Sequence, residues 1–264
     1  MATSPPLKLT PKPPSLGSTL QSEVVVVEIG TERQRYHVHK TLLVHHSEYF
    51  AKALEGPWTE AHTRVITLAD IEAGVFNIFV QWLYCQQLPS GKNLVAWGTV
   101  SGNLISTFNY IDIVAITLKA YAFGDRFLIP PFRRAMNQAV QEGVRATAMH
   151  PEVMVNFITW AFENIPSDRP VLQLLVNEFC QDWTVPDSDN DTQTLDFVAL
   201  RDFSSAFTFR AMLRYRELSN PLAVTWHKKG CYLEHASGEE KMACGRYHVQ
   251  YSQERDYGYL VEEC

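Results

Sequence analysis

The chain has 264 residues, 46% of them hydrophobic and 12% aromatic, with a formal net charge of −6 and a pI of about 5.8. That much apolar side chain is enough for a real core and argues against disorder throughout, and the length suits one large or two modest domains. The acidic balance argues against nucleic acid as a direct partner, because Lys and Arg neutralising phosphates supply most of that affinity.

The opening residues, MATSPPLKLTPKPPSLGS, contain no apolar core of signal-peptide length. The longest plainly apolar strand-like run, Val24 to Val27, is too short to cross a bilayer. The chain is therefore read as intracellular, in cytoplasm, nucleus or both, without a membrane partner. Five cysteines without framework spacing then read as reduced thiols or metal ligands rather than disulfides. Residues 1–21, rich in Pro, Ser, Thr and Lys, are expected to form a disordered, non-helical arm. A Pro-x-x-Pro ligand for an SH3-type domain is the alternative there.

Residues 22–30 (SEVVVVEIG) are β-branched and predict a buried strand; a turn at Gly30 and alternation over 35–39 complete a hairpin. The run 36–60, YHVHKTLLVHHSEYFAKALEGPWTE, then predicts a short helix. Leu42, Leu43, Tyr49, Phe50, Ala53 and Leu54 share one face at a period near 3.6. Gly56 is expected at positive φ where that helix ends, with Pro57 stopping it. A strand over 64–68 follows. Asp70 is placed as the N-cap of a helix carrying Ile71, Val75, Ile78, Phe79, Trp82 and Leu83.

Residues 88–108 hold three glycines and no period, and read as an insertion or flexible lobe. Within them Ser90-Gly91-Lys92-Asn93 lacks the full phosphate-cradling pattern. Ile111, Val114, Leu118 and Tyr121 line a helix expected to end at Gly124, and the next begins near Pro131. Beyond residue 132 no strand is predicted. Helical patterns recur at 132–143, 151–164, 169–183 and 203–218, and after Asn220-Pro221 the tail is polar and dense in Cys, His and Glu.

Several blocks, in order, carry a family resemblance. They are Val38-His39-Lys40, Leu42-Leu43, Ser47-Glu48-Tyr49-Phe50, Gly56-Pro57-Trp58-Thr59-Glu60 and Ile66-Thr67-Leu68-Ala69-Asp70-Ile71. Phe76-x-x-Phe79-x-x-Trp82-Leu83-Tyr84 follows, then, past the insertion, Tyr121-Ala122-Phe123-Gly124-Asp125-Arg126-Phe127. Over residues 22–132 the chain resembles a BTB/POZ domain, and most of all the short fungal BTB proteins. The resemblance implies an α+β fold, a small sheet flanked by helical hairpins, used for self-association or for docking other proteins. Members act as adaptors of cullin-type ubiquitin ligases or as transcriptional regulators, and the domain itself has no catalysis. Members that dimerise by strand exchange carry a helix ahead of the first strand, which the Pro-rich arm is not expected to supply.

Two candidate sites emerge. Trp58-Thr59-Glu60 matches the hydrophobic-x-Glu pattern with which ligase-adaptor members touch the cullin scaffold. An exposed aromatic beside a carboxylate can anchor an interface; the plainer reading packs Trp58 on its own domain and leaves Glu60 solvated. In the tail, Cys231 and His235 are spaced C-x3-H, and Cys244 and His248 repeat the spacing after eight residues. Four such donors suit tetrahedral zinc, against the plainer reading of ordinary reduced cysteines with an exposed turn at Gly238-Glu239-Glu240. His37, His39, His45 and His46 read as partly buried structural histidines, and Glu178 and Asp182 as a solvated helix side.

No nucleophile elbow, zinc-protease helix, dinucleotide loop or phosphate loop is present in the sequence. The expectation is a protein without chemistry of its own: a Pro-rich arm (1–21), a BTB/POZ-like domain (22–132) with its insertion, an all-helical region (133–220) and a Cys/His-containing tail (221–264). Its partners would be other proteins, a cullin scaffold or a second copy, and its alternative role that of a zinc-stabilised transcriptional co-regulator. Otherwise it needs no cofactor.

Overall fold

Strand β1 (Val24–Ile29) is the middle of a three-stranded sheet of order β2-β1-β3. It runs antiparallel to β2 (Gln34–His39), with Val25 opposite Val38 and Glu28 opposite Arg35, and parallel to β3 (Val65–Leu68), with Val27 opposite Ile66. The hairpin corner is Gly30, at φ 73°, where a side chain would be strained. The computed structural model describes residues 13–89, 110–146, 151–182, 203–219, 230–244, 247–250 and 260–262. The insertion from residue 90 onward, including Ser90-Gly91-Lys92-Asn93, and the arm up to residue 12 lie outside them.

The last part of the arm is helical, contrary to expectation. Helix α1 (Leu16–Leu20) opens on Ser15, whose side chain accepts a bond from the Ser18 N–H. A single cap sustains this five-residue turn, which has no periodicity to betray it in sequence. The predicted helix within 36–60 is three: α2 (Lys40–His46), α3 (Glu48–Glu55) and α4 (Thr59–Thr63). Ser47 makes the break. Its Oγ accepts from the Phe50 N–H at 3.0 Å, capping α3, and donates to the Phe127 carbonyl at 2.6 Å. Leu42, Leu43, Phe50 and Leu54 are buried as expected, while Tyr49 is exposed.

Helix α5 (Ala73–Cys85) starts later than predicted, with Glu72 and not Asp70 at its N-cap. Asp70 instead pairs with Arg126, which holds its carboxyl below the usual range. The helices α6 (Tyr110–Arg126), α7 (Pro130–Ala146), α8 (Pro151–Asn164), α9 (Pro170–Asp182) and α10 (Ser205–Leu218) fall close to the predicted ranges. Gly124 lies inside α6 and does not end it. A Cβ there would stand 3.0 Å from the Arg133 backbone nitrogen, so glycine permits the close crossing of α6 and α7.

One buried apolar cluster runs from Val25 to Tyr232. At its centre are Phe50, Phe79, Trp82, Phe123, Phe127 and Phe132. Phe50 and Phe127 stack at 5.5 Å, Phe123 and Phe127 approach to 4.5 Å, and Trp82 meets Phe132 at 5.2 Å. Aromatic pairs of this kind add to the free energy of the area they bury. The residues on either side of the insertion thus share one core.

The tail departs from the expectation of no strand beyond residue 132, while the described elements between 133 and 220 are helices as expected. Strand β4 (Gly230–Cys231) pairs parallel with β5 (Tyr247–Gln250), which pairs antiparallel with β6 (Leu260–Glu262). Strands of two to four residues are too short to show an alternation. Gly238-Glu239-Glu240, expected as a turn, begins helix α11 (Gly238–Ala243).

Candidate functional site

Among the described residues, three places are candidates: the turn before α4, a cleft beside α6, and the docked tail. At the first, Gly56 has φ −84° and ψ −175°, not the left-handed geometry expected of it. Its glycine is required by crowding. A Cβ would lie 2.4 Å from the Lys52 carbonyl oxygen and 2.8 Å from Trp58 Cδ1. The indole of Trp58 thus lies against the Gly56 backbone, yet Trp58 remains 59% exposed. Packing on its own domain covers one edge of the ring only. Glu60, two residues on, is half-buried in the first turn of α4. The ring is exposed and close to the Gly56 backbone, and Glu60 follows two residues later.

The cleft, ≈ 210 Å³, is lined by Asp70, Glu72, Lys119, Arg126, Phe123 and Trp160 among others. Lys119 pairs with Glu72, and Arg126 with Asp70. Each cation is thus matched by a carboxylate, so these four charged groups of the lining sum to zero.

The tail is seated on the helices by polar groups that the sequence reading missed. One oxygen of the Glu234 carboxylate accepts from the Tyr121 hydroxyl, and the other from Arg133 Nε at 2.6 Å. The Glu234 backbone N–H donates to Asn137 Oδ1 at 3.3 Å, and Asn177 Nδ2 donates to the Tyr232 hydroxyl. Arg133 also holds Asp125 at 2.6 Å, and Arg169 reaches the same carboxylate oxygen at 2.8 Å. Two carboxylates and two guanidinium groups balance in this half-buried seam. Burial and the adjacent Glu234 carboxylate raise the Tyr121 phenol far above its ordinary range, so it stays a donor. Desolvation, the largest single influence, would lower Arg133, but the hydrogen bond and charge of Glu234 together with Tyr121 and Asp125 outweigh it and the pKa rises. The signal available in sequence was the Asp125-Arg126 pair inside an apolar helix, shortly before Pro130-Pro131.

Three of the four predicted metal donors also meet here. Cys231 Sγ lies 3.3 Å from His235 Nε2 and 3.5 Å from Cys244 Sγ, and the three donor atoms fall within 4.8 Å of one another. The side chain of His248 lies outside the described residues, but its backbone is paired in register with Cys231. The other histidines divide. His39 Nδ1 lies 2.7 Å from the Tyr84 hydroxyl and is partly buried, whereas His37 is exposed rather than satisfied inside. Glu178, expected on a solvated side, is largely buried and sits 3.6 Å from Arg145.

Residues 19–101 match the family model of the BTB/POZ domain. The chain carries a BTB/POZ domain. Its sheet of order β2-β1-β3 amid helices is the α+β architecture that the sequence implied, followed by the helical C-terminal region. A BTB/POZ domain is a protein–protein interaction module, so binding other proteins is what this part of the chain does. The core extends past residue 101, since Phe123, Phe127 and Phe132 pack on Phe79 and Phe50. Among the described residues, no helix is long and apolar enough to cross a membrane.

Proposed function

We propose that the protein is a non-catalytic docking module whose BTB/POZ domain presents Trp58 and Glu60 to a protein partner, a cullin-type scaffold being the partner of choice. The observation that carries this reading is the state of Trp58: a large aromatic ring, 59% exposed, braced against the Gly56 backbone. An anchor already ordered before binding loses little entropy on engagement, and Trp is prominent among residues that dominate interface energy. The test is direct binding of the full chain to a purified cullin N-terminal domain. Trp58→Ala is expected to weaken the complex at least about tenfold, and Glu60→Ala less. A wild-type chain that does not bind, or a Trp58→Ala chain that binds unchanged, ends this reading.

A second reading, self-association, is favoured by α1. Leu16 and Leu20, one turn apart, are 64% and 60% exposed on a helix that the arm was not expected to form. Covering two adjacent leucines with a second copy buries apolar surface that is otherwise in water. Light scattering on the full chain should give a dimer that Leu16→Glu with Leu20→Glu converts to monomer. A wild-type monomer at high concentration removes this reading and leaves the docking one standing.

A further inference from the structure

The geometry points to a structural zinc site formed by Cys231, His235, Cys244 and His248, which ties the C-terminal sheet together beside its seat on α6 and α7. Zinc in a tetrahedral site takes Zn–S bonds of about 2.3 Å and Zn–N bonds of about 2.0–2.1 Å. Those bond lengths place two sulfurs about 3.8 Å apart, and a sulfur and a nitrogen about 3.6 Å apart. The observed separations are 3.5 Å between Cys231 Sγ and Cys244 Sγ and 3.3 Å between Cys231 Sγ and His235 Nε2. A disulfide needs its sulfurs about 2.05 Å apart. The donors thus stand at the spacing of ligands around one ion.

The local structure holds that spacing. His235 and Cys244 lie at the two ends of α11. Its N-terminus is fixed from both sides: Ser237 Oγ accepts from the Glu240 N–H at 3.1 Å, and Glu240 Oε2 accepts from the Ala236 N–H at 2.6 Å. This is a variant of the reciprocal capping box. The other oxygen of Glu240 lies 3.9 Å from His235 Nδ1. That separation is longer than a hydrogen bond, and it leaves the carboxylate near the ring nitrogen that does not face Cys231. The fourth donor is assigned to His248, whose backbone in β5 pairs in register with Cys231 in β4.

Charge closes as well. Binding releases one proton from each cysteine, and two thiolates with two neutral imidazoles cancel the charge of the dication. A neutral centre suits Cys231, which is buried, better than two thiolates would alone. A strand of two residues and a helix of six have little core of their own, so a metal would hold together what apolar packing does not.

The test uses the full chain, expressed without an affinity tag and purified without chelator, with zinc measured by plasma mass spectrometry. About one zinc per chain is expected, and replacement by Co(II) should give the intense visible bands of a tetrahedral site with thiolate charge transfer in the near ultraviolet. Cys244→Ser should lose the metal. His235→Cys should retain it, since a thiolate also ligates zinc, which a merely structural histidine would not predict. His248→Ala should lower the affinity and change the cobalt spectrum. Zinc below about half an equivalent after reconstitution, or a Cys244→Ser chain that keeps its zinc, overturns the site. A stoichiometric Cys231–Cys244 disulfide in protein handled under reducing conditions overturns it equally, and an unchanged cobalt spectrum in His248→Ala removes that residue from it.

Discussion

The aromatic core and the tail seam are held by opposite kinds of force. In the core, Phe50, Phe79, Phe123, Phe127 and Phe132 are all essentially buried, and their contribution comes from apolar area and ring packing. In the seam, Tyr121, Asp125, Arg133, Arg169 and Glu234 meet, and ionic and hydrogen-bonded groups act beside the buried Tyr232. Apolar packing can loosen by degrees; a buried charged seam is strongly weakened by the loss of any one partner. The same chain therefore has a robust platform and a conditional attachment.

The largest effect should come from emptying the core. Phe79→Ala removes a ring that touches Phe50, Phe76, Trp82, Phe123 and Phe132, and should cost about 3–5 kcal/mol in denaturant unfolding. Glu234→Ala should cost about 3 kcal/mol, because Arg133 and Tyr121 lose a buried acceptor. Its distinguishing sign is locality: protease cleavage in the tail should rise far more than cleavage in the N-terminal half. A seam variant that unfolds the whole chain as Phe79→Ala does would erase the contrast.

Gly56→Ala should destabilise by about 2 kcal/mol, since the added methyl meets the Lys52 carbonyl and the Trp58 ring. Trp58 fluorescence should shift with it. A smaller effect is expected from acid. Burial, with the neighbouring His45 second, pulls the His46 imidazole down to about 4 from its ordinary 6.5. The unfolded chain then takes up that proton first, so the neutral form's advantage is complete above about pH 6.5 and is lost as the pH falls towards 4. His46→Gln should flatten the stability profile in that window by about 1–2 kcal/mol. Trp58→Ala, last, should change stability by no more than about 0.5 kcal/mol while weakening docking at least about tenfold.

Where the sequence carried a period, its reading succeeded. The β1–β2 hairpin, α5 and the five later helices rest on runs of apolar residues whose spacing declares strand or helix. It failed where one polar atom decides the structure. Ser47 cuts a continuous apolar stripe into two helices, and Ser15 nucleates a turn in a Pro-rich arm. Gly56 and Gly124 were legible as glycines, but their reason, a close approach to Lys52 and Arg133, is tertiary. At the candidate sites the residue types at Trp58, Cys231, His235 and Cys244 were visible in advance. The exposure of the first and the convergence of the others were not. Nothing local marked Glu234, because its partners stand more than a hundred residues earlier.

That separation has a consequence for how the molecule is made. Tyr121 and Glu234 are 113 residues apart, and Ser47 and Phe127 are 80 apart. Chains leave the ribosome N-terminus first and tend to fold in that order. When α7 has emerged, the aromatic core has all its rings, and Arg133 can already hold Asp125. Glu234 is still to be synthesised. The BTB/POZ platform is thus complete before its last ionic partner exists, and the filling of that place by Glu234 registers that translation has run on into the tail.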